Sequence, residues 1–129
     1  MKRTIAMLVV IISIIFSGVA GAASVNSKDI SLYSNDGKTF IGNLSSNVYE
    51  TKSIFNEYGT YGSKYNAKSI WNEYGIYGSA YSNTSAFNEY ASKPPVLMYS
   101  GKVIGYVTIN KYKKNGISPN ALWDWVSEF

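Results

Sequence analysis

Apolar and polar residues follow different patterns in successive stretches of this chain. An almost unbroken apolar run covers residues 5–16, directly after Lys2 and Arg3. Strand-like apolar runs on either side of a glycine-containing turn occupy residues 30–47 and 96–110, and each such pair predicts a β-hairpin. Because a lone hairpin is only marginally stable in water, we expect the two hairpins to pair in one four-stranded antiparallel sheet.

A glycine stands early in the second strand of each hairpin. Gly42 and Gly105 occupy matching positions, because residues 41–49 are similar in sequence to residues 104–112. A glycine inside a strand indicates a β-bulge or the close approach of another backbone segment. We expect one of these two features at both glycines.

A sixteen-residue repeat fills residues 49–92. Its three copies align without gaps from Ser53, Ser69 and Ser85, and each contains the triplet Asn-Glu-Tyr. Such close identity indicates that every copy adopts the same local conformation. One copy is compatible with a single helical turn that a left-handed Gly59 or Gly75 would close, or with a β-turn that begins at Asn and ends at Gly. Both interpretations predict a loop-rich segment that reverses roughly every eight residues, with extended stretches between the turns.

The end of the chain predicts a short helix over residues 119–128. Ser118 is a suitable N-cap and Pro119 suits the first helical position. One helical face is apolar and should cover the sheet, with Trp125 in the core: Ala121, Leu122, Trp125, Val126 and Phe129. The predicted class is therefore α+β, mainly β, with the repeats as a long excursion between the two hairpins.

The N-terminal apolar run has the features of an export signal. It spans 12 residues, whereas a membrane-spanning helix needs ~20. It ends in an Ala-x-Ala site at Ala20 and Ala22. We expect residues 1–22 to be a cleaved signal peptide, rather than an uncleaved anchor, and residues 23–129 to form one exported domain that has left the membrane. The predicted destination is the cell envelope or the medium.

Composition removes several classes of function. The chain contains no Cys and no His, which excludes disulfides, thiolate or imidazole metal sites, Cys nucleophiles and Ser-His-Asp triads. Without Lys2 and Arg3, the chain has ten lysines, eight acidic residues and no Arg. Since Arg is the usual reader of phosphates and base edges, we expect no nucleic-acid partner. We also expect no cofactor.

The repeat motif resembles that of a group of small, functionally uncharacterised bacterial exported proteins. The resemblance rests on Ser-Ile-(Phe/Trp)-Asn-x-Tyr-Gly-x-Tyr-Gly-Ser-x-Tyr, on a later Tyr-Ala-x-x-Pro-Pro and on Gly-Tyr-Val-Thr-x-Asn, and it extends from about Ile41 to Pro119. It implies a bacterial source and an envelope or extracellular destination. It implies no activity, ligand or site residue.

The recurring carboxylates are Glu57, Glu73 and Glu89. Two carboxylates placed about 5–10 Å apart can hydrolyse a glycosidic bond. General acid and general base need different environments, however, and copies in equivalent surroundings supply equivalent acids. We therefore expect no enzymatic activity and no catalytic residue, with a glycan hydrolase as the lesser alternative. Asn and Glu oxygens also suit Ca²⁺, but no Asp-rich loop accompanies them, and we predict no metal site.

Aromatic and amide side chains at regular offsets are the remaining candidate chemistry. Flat rings stack on sugar faces while Asn amides reach hydroxyl groups. We therefore expect a non-enzymatic module that binds a glycan or the cell-wall surface. The same rings could instead form the core of a domain that has few aliphatic residues. The alternative function is a protein-interaction or surface-assembly role through exposed hairpin edges. The candidate ligand-binding residues are Asn56, Tyr58, Tyr61, Trp71, Asn72, Tyr74 and Tyr77.

Overall fold

The computed structural model describes residues 25–127, so the predicted signal peptide and Phe129 lie outside the described residues. Five short strands form one sheet in the order β2-β1-β3-β4-β5. A 3₁₀ turn precedes the sheet, and a second 3₁₀ turn leads into the single α-helix of this part of the chain. The predicted α+β, mainly β class is confirmed. The elements are η1 (Ser27–Asp29), β1 (Ser31–Tyr33), β2 (Phe40–Asn43), β3 (Val96–Tyr99), β4 (Lys102–Val107), β5 (Gly116–Ile117), η2 (Pro119–Ala121) and α1 (Leu122–Val126).

The two predicted hairpins pair through their first strands. β1 and β3 run antiparallel, with Leu32 opposite Leu97. The sheet nevertheless has five strands rather than the four expected, and it is mixed rather than purely antiparallel, because β5 lies parallel to β4. Residues 108–115 form the loop that leads from β4 to β5. β5 lies beside the end of β4, where the Thr108 amide donates to the Ile117 carbonyl. A strand of two residues is too short to show an alternating pattern in the sequence.

Both strand glycines mark irregularities, as predicted. Gly42 has φ +118°, and a Cβ there would lie 2.5 Å from Ile54 Cγ2. The backbone of β2 therefore passes directly beneath the repeat segment. Gly105 lies opposite Leu97, and the register between β3 and β4 shifts at the next pair.

The repeat segment is a continuous series of β-turns, which we call the turn array (residues 47–91). The first turn runs from Asn47, whose carbonyl accepts from the Glu50 amide, and the next begins at Glu50. Most turns begin three residues after the last, and copies 1 and 2 each contain one four-residue step, from Gly59 to Ser63 and from Gly75 to Ser79, which completes their sixteen-residue period. Copy 1 is residues 47–62, copy 2 is 63–78 and copy 3 is 79–91.

This pattern corrects the expected local conformation in two respects. The chain turns about every three residues instead of every eight, and residues 64–68, expected to be extended, also lie in turns. The β-turn interpretation is confirmed, since the Gly59 amide donates to the Asn56 carbonyl. Gly59 and Gly75 are not left-handed. The glycines are needed for space, because a Cβ on Gly62 would overlap the Asn56 carbonyl and one on Gly78 would overlap the Asn72 carbonyl.

The core lies between the sheet, the turn array and the C-terminal helix. Each copy contributes a fully buried apolar residue from the same turn position, namely Ile54, Ile70 and Ala86. These three residues belong to the same apolar cluster as the sheet residues. The helical segment starts at the predicted position, and the Ser118 hydroxyl caps it by accepting from the Asn120 amide. Its first three residues form the 3₁₀ turn η2, however, and the α-helix is limited to residues 122–126. Trp125 is fully buried, as expected.

Candidate binding surface

Exposed tyrosines all occupy the same place in the local turn. Seven tyrosines stand two residues after an Asn or Ser whose side-chain oxygen accepts from the tyrosine's own amide, at 3.0–3.1 Å. This bond between a side chain and the backbone defines an Asx-turn or Ser-turn, which Asn and Ser form readily. The seven side chains are between 76% and 93% exposed: Tyr49, Tyr58, Tyr65, Tyr74, Tyr81, Tyr90 and Tyr112.

Six of these tyrosines form two sets with the period of the repeat. The first tyrosine row consists of Tyr49, Tyr65 and Tyr81, which occupy the first turn of each copy. The second tyrosine row consists of Tyr58, Tyr74 and Tyr90, which occupy the fourth turn. The tyrosines named from the sequence, Tyr58 and Tyr74, therefore lie on the surface and share one row.

The Asn amides named from the sequence point into the fold. Asn56 Oδ1 accepts from the Tyr58 amide, and its Nδ2 donates to the Glu50 carbonyl at 3.2 Å. Asn72 makes the same two bonds, to the Tyr74 amide and the Asn66 carbonyl. Both amides thus close their own copies of the array and hold the neighbouring tyrosines in place.

The other two tyrosines named from the sequence face inward. Tyr61 is half-buried and packs edge-on against Phe40, with ring centroids 5.1 Å apart. Tyr77 is only 8% exposed and belongs to the apolar core. The repeat aromatics are thus divided between core and surface according to their turn, rather than belonging to one or the other.

An apolar groove of about 410 Å³ opens where copy 1 meets copy 2. We call it the aromatic groove. Such a volume and a mainly apolar wall with few polar groups are typical of small-molecule sites. Its charged members, Glu57 and Lys64, are both exposed. It is lined by Val48, Ile54, Phe55, Glu57, Gly62, Lys64, Trp71 and Trp123.

Ring packing positions the walls of this groove. Phe55 packs edge-on against Trp123 of α1, with centroids 4.9 Å apart. Trp71 packs instead against Phe87 of the next copy, at 5.9 Å. The Trp71 indole is held in place because its Nε1 donates to the Ile54 carbonyl at 2.7 Å. Phe55 and Trp71, which share a repeat position, thus have different ring partners, and both line the groove.

Sequence reasoning found Trp71 but missed the rest of the groove. Phe55 occupies the same repeat position as Trp71, which is a signal that could have placed it in the same set. Trp123 carried no such signal, because it comes from α1, far away in the chain, and is 43% exposed beside a buried helix face.

The charged groups near the array lie in ordinary surface positions, with one exception. Glu57, Glu73 and Glu89 are exposed at the second position of the same turn in each copy. Glu50 has a lowered pKa because the Ser45 hydroxyl and the Asn43 amide donate to its carboxylate. Within residues 25–127, no group of three or more acidic, Cys or His residues is placed to hold a metal ion.

No protein-family model, curated protein or solved structure gives a significant match to this chain. In the described part of the chain no helix combines the length and the apolar character that crossing a membrane requires.

Proposed function

We propose that this protein is an exported, non-enzymatic binding module that holds a cell-envelope glycan against its exposed tyrosines. The observation that carries the proposal is that seven largely exposed tyrosines occupy the same position within their respective turns. Singly exposed apolar residues need no explanation, but a set repeated at one structural position does. Tyrosine rings stack on the apolar faces of sugars, and their hydroxyls bond to sugar hydroxyls.

The periodicity of the rows favours a polymer over a small molecule. Equivalent tyrosines recur every sixteen residues in both rows. A polymer with repeating units can present the same surface to each of them in turn. Individually weak contacts then combine, because every contact after the first is made within an already bound complex.

The turns make the tyrosines a rigid surface. Each exposed tyrosine of the rows has its amide bonded to the side chain of the Asn or Ser two residues earlier. A backbone that is already ordered loses little entropy when the ligand binds. The internal role of Asn56 and Asn72 therefore supports binding indirectly, and the direct contacts in this proposal come from the rings.

Two features favour this function over the alternatives. Glu57 is the single carboxylate among the groove residues, whereas a glycan hydrolase needs an acid and a base placed together in different environments. The sheet has two edges, and the edge strand β5 is only two residues long. At the β2 edge, the Asn43 amide already donates to the Lys52 carbonyl of the array. Strand addition at that edge is therefore obstructed.

Retention on insoluble peptidoglycan and chitin tests the proposal. The mature chain is compared with two triple variants, one with Ala at Tyr58, Tyr74 and Tyr90 and one with Ala at Tyr49, Tyr65 and Tyr81. We expect the mature chain to be retained and at least one triple Ala variant to be lost to the supernatant, with unchanged circular dichroism because the side chains are exposed.

The matched control replaces the same tyrosines by Phe. It keeps the stacking ring and removes only the hydroxyl, so we expect most of the retention to survive. Equal retention of the Ala and Phe variants, or no retention of the mature chain on either polymer, contradicts glycan binding by the rows. Concentration-dependent self-association that the Ala variants abolish would instead support the assembly function.

A further inference from the structure

We propose that the aromatic groove is a separate subsite for one N-acetylated hexosamine unit of the glycan, an inference that rests on the proposed function. The groove lies at the junction of copies 1 and 2, and three of its residues, Val48, Glu57 and Lys64, directly precede a row tyrosine in the chain. Its volume of about 410 Å³ suits a single small unit rather than a long chain.

The apolar wall suits a sugar ring and a methyl group. Phe55, Trp71 and Trp123 present aromatic surface to the groove, while Val48 and Ile54 supply aliphatic surface. A pyranose presents a face of C–H groups that stacks on such rings. The methyl of an acetamido group fits the aliphatic part, where it is removed from water.

The two charged residues of the groove suit an amide. Glu57 contributes a carboxylate that only accepts hydrogen bonds when ionised, and Lys64 contributes an ammonium that only donates. A secondary amide has one N–H donor and one carbonyl acceptor, so it satisfies both residues together. A hydroxyl can also donate or accept, but it carries no methyl group for the aliphatic part of the groove.

The junction of copies 2 and 3 differs from the groove in two respects. Position 64 is Lys, whereas the equivalent position 80 is Ala. Trp71 packs against Phe87, whereas Phe55 packs against Trp123 of α1. The junction of copies 2 and 3 therefore lacks the cation and the ring from α1.

Tryptophan fluorescence of the mature chain, titrated with soluble oligosaccharides, tests the subsite. The probes are chitohexaose, which carries acetamido groups, and cellohexaose, which has the same linkage without them. We expect a saturable change with chitohexaose, and weaker binding of cellohexaose by about tenfold, the combined loss of the methyl contact and of one hydrogen bond.

Two conservative variants locate the contact. Glu57→Gln and Lys64→Ala should each weaken chitohexaose binding by about tenfold. Glu73→Gln is the matched control, because Glu73 has the same turn position but does not line the groove, and it should leave the affinity unchanged. Lys64→Ala reproduces the residue found at position 80, so a failure to fold is not expected.

The possible outcomes separate this site from the tyrosine rows. If the triple Ala variants lose retention on polymer but still bind chitohexaose, the rows and the groove are independent and both proposals stand. Equal affinity for the two oligosaccharides, an equal effect of Glu73→Gln and Glu57→Gln, or no saturable change overturns the subsite while leaving the rows untouched. Binding of an N-acetylated dipeptide amide in place of chitohexaose would also overturn it, in favour of a peptide ligand.

Discussion

The sheet and the turn array are stabilised by different groups, although they share one core. In the sheet, backbone amides and carbonyls pair between strands, as β1 does with β3. In the array, most turns have a backbone bond of their own, and the side chain of the first residue commonly supplies a further bond. A strand tolerates many side chains because its bonds are made by the backbone, whereas these turns depend on particular side chains.

This difference explains the pattern of the sequence. The array repeats nearly identically because Asn, Ser and Gly each perform a local task in every copy. The hairpins resemble one another only loosely because pairing of their backbones does not require particular residues. Substitutions at array positions should therefore be costly even where little apolar surface is involved.

The largest effect should come from the glycines that lie against a carbonyl. In Gly62→Ala or Gly78→Ala the new Cβ overlaps the carbonyl of Asn56 or Asn72, which is backbone that cannot move without opening the turn. We expect a loss of about 4 kcal/mol in the free energy of unfolding, measured by urea denaturation. Gly75→Ala is the control, because its Cβ would lie 3.3 Å from the side-chain nitrogen Nδ2 of Asn72 rather than against backbone. It should change the free energy of unfolding by less than about 1 kcal/mol. Equal effects at the three glycines would contradict the close-approach explanation.

The next effect tests whether the two regions unfold together. Ile70 of the array and Leu97 of the sheet are both fully buried in one apolar cluster. Ile70→Ala and Leu97→Ala should each cost about 3 kcal/mol through lost burial and a residual cavity. Both should shift the same single transition, followed by circular dichroism and by tryptophan fluorescence. A second transition that appears only with Ile70→Ala would mean that the array unfolds by itself.

A smaller effect measures the side-chain bonds of the array. Asn72→Ala removes an acceptor from the Tyr74 amide and a donor from the Asn66 carbonyl. Because Asn72 is buried, we expect a loss of about 2 kcal/mol. Asn72→Ser keeps an acceptor of the kind that Ser63 supplies to the Tyr65 amide and removes the donor, so thermal and urea unfolding should place it between the parent chain and the Ala variant. Full stability of Asn72→Ala would show that the backbone alone maintains the turns.

The smallest effect concerns the junction where β2 meets the first turn. Hydrogen bonds from Ser45 and Asn43 lower the pKa of Glu50 below its ordinary value of 4.5. Its contribution to stability is therefore present above that value and is lost as pH falls through the folded-state pKa. Urea denaturation between pH 7 and pH 3 should show a smaller acid-induced loss for Glu50→Gln than for the parent chain.

Part of the acid dependence should remain in that variant. The pKa of Asp36 is also lowered, by the Ser34 hydroxyl and then by the Lys38 amide. Asp36 is exposed in the β1–β2 turn and titrates in the same direction. Identical acid profiles for the parent chain and Glu50→Gln would contradict a role for the Glu50 carboxylate at this junction.

Local features were predictable from the sequence alone. Residue preferences that act within a few positions explain four such features. These are the hairpins, the glycine irregularities in β2 and β4, the Ser118 cap and the burial of Trp125. The sixteen-residue period was also evident, but its division into turns of three and four residues was not, because Asn, Ser and Gly also suit longer loops.

Long-range features were decided only by the tertiary structure. Three features depend on segments that meet across the fold. They are the pairing of β5 with β4 at Tyr106 and Gly116, the contact of Phe55 with Trp123, and the different exposure of Tyr58 and Tyr77. The repeat determined that each copy would form the same turns. Which rings are buried was determined by what each turn faces, since identical local conformations meet the sheet, the helix or water according to their place in the stack.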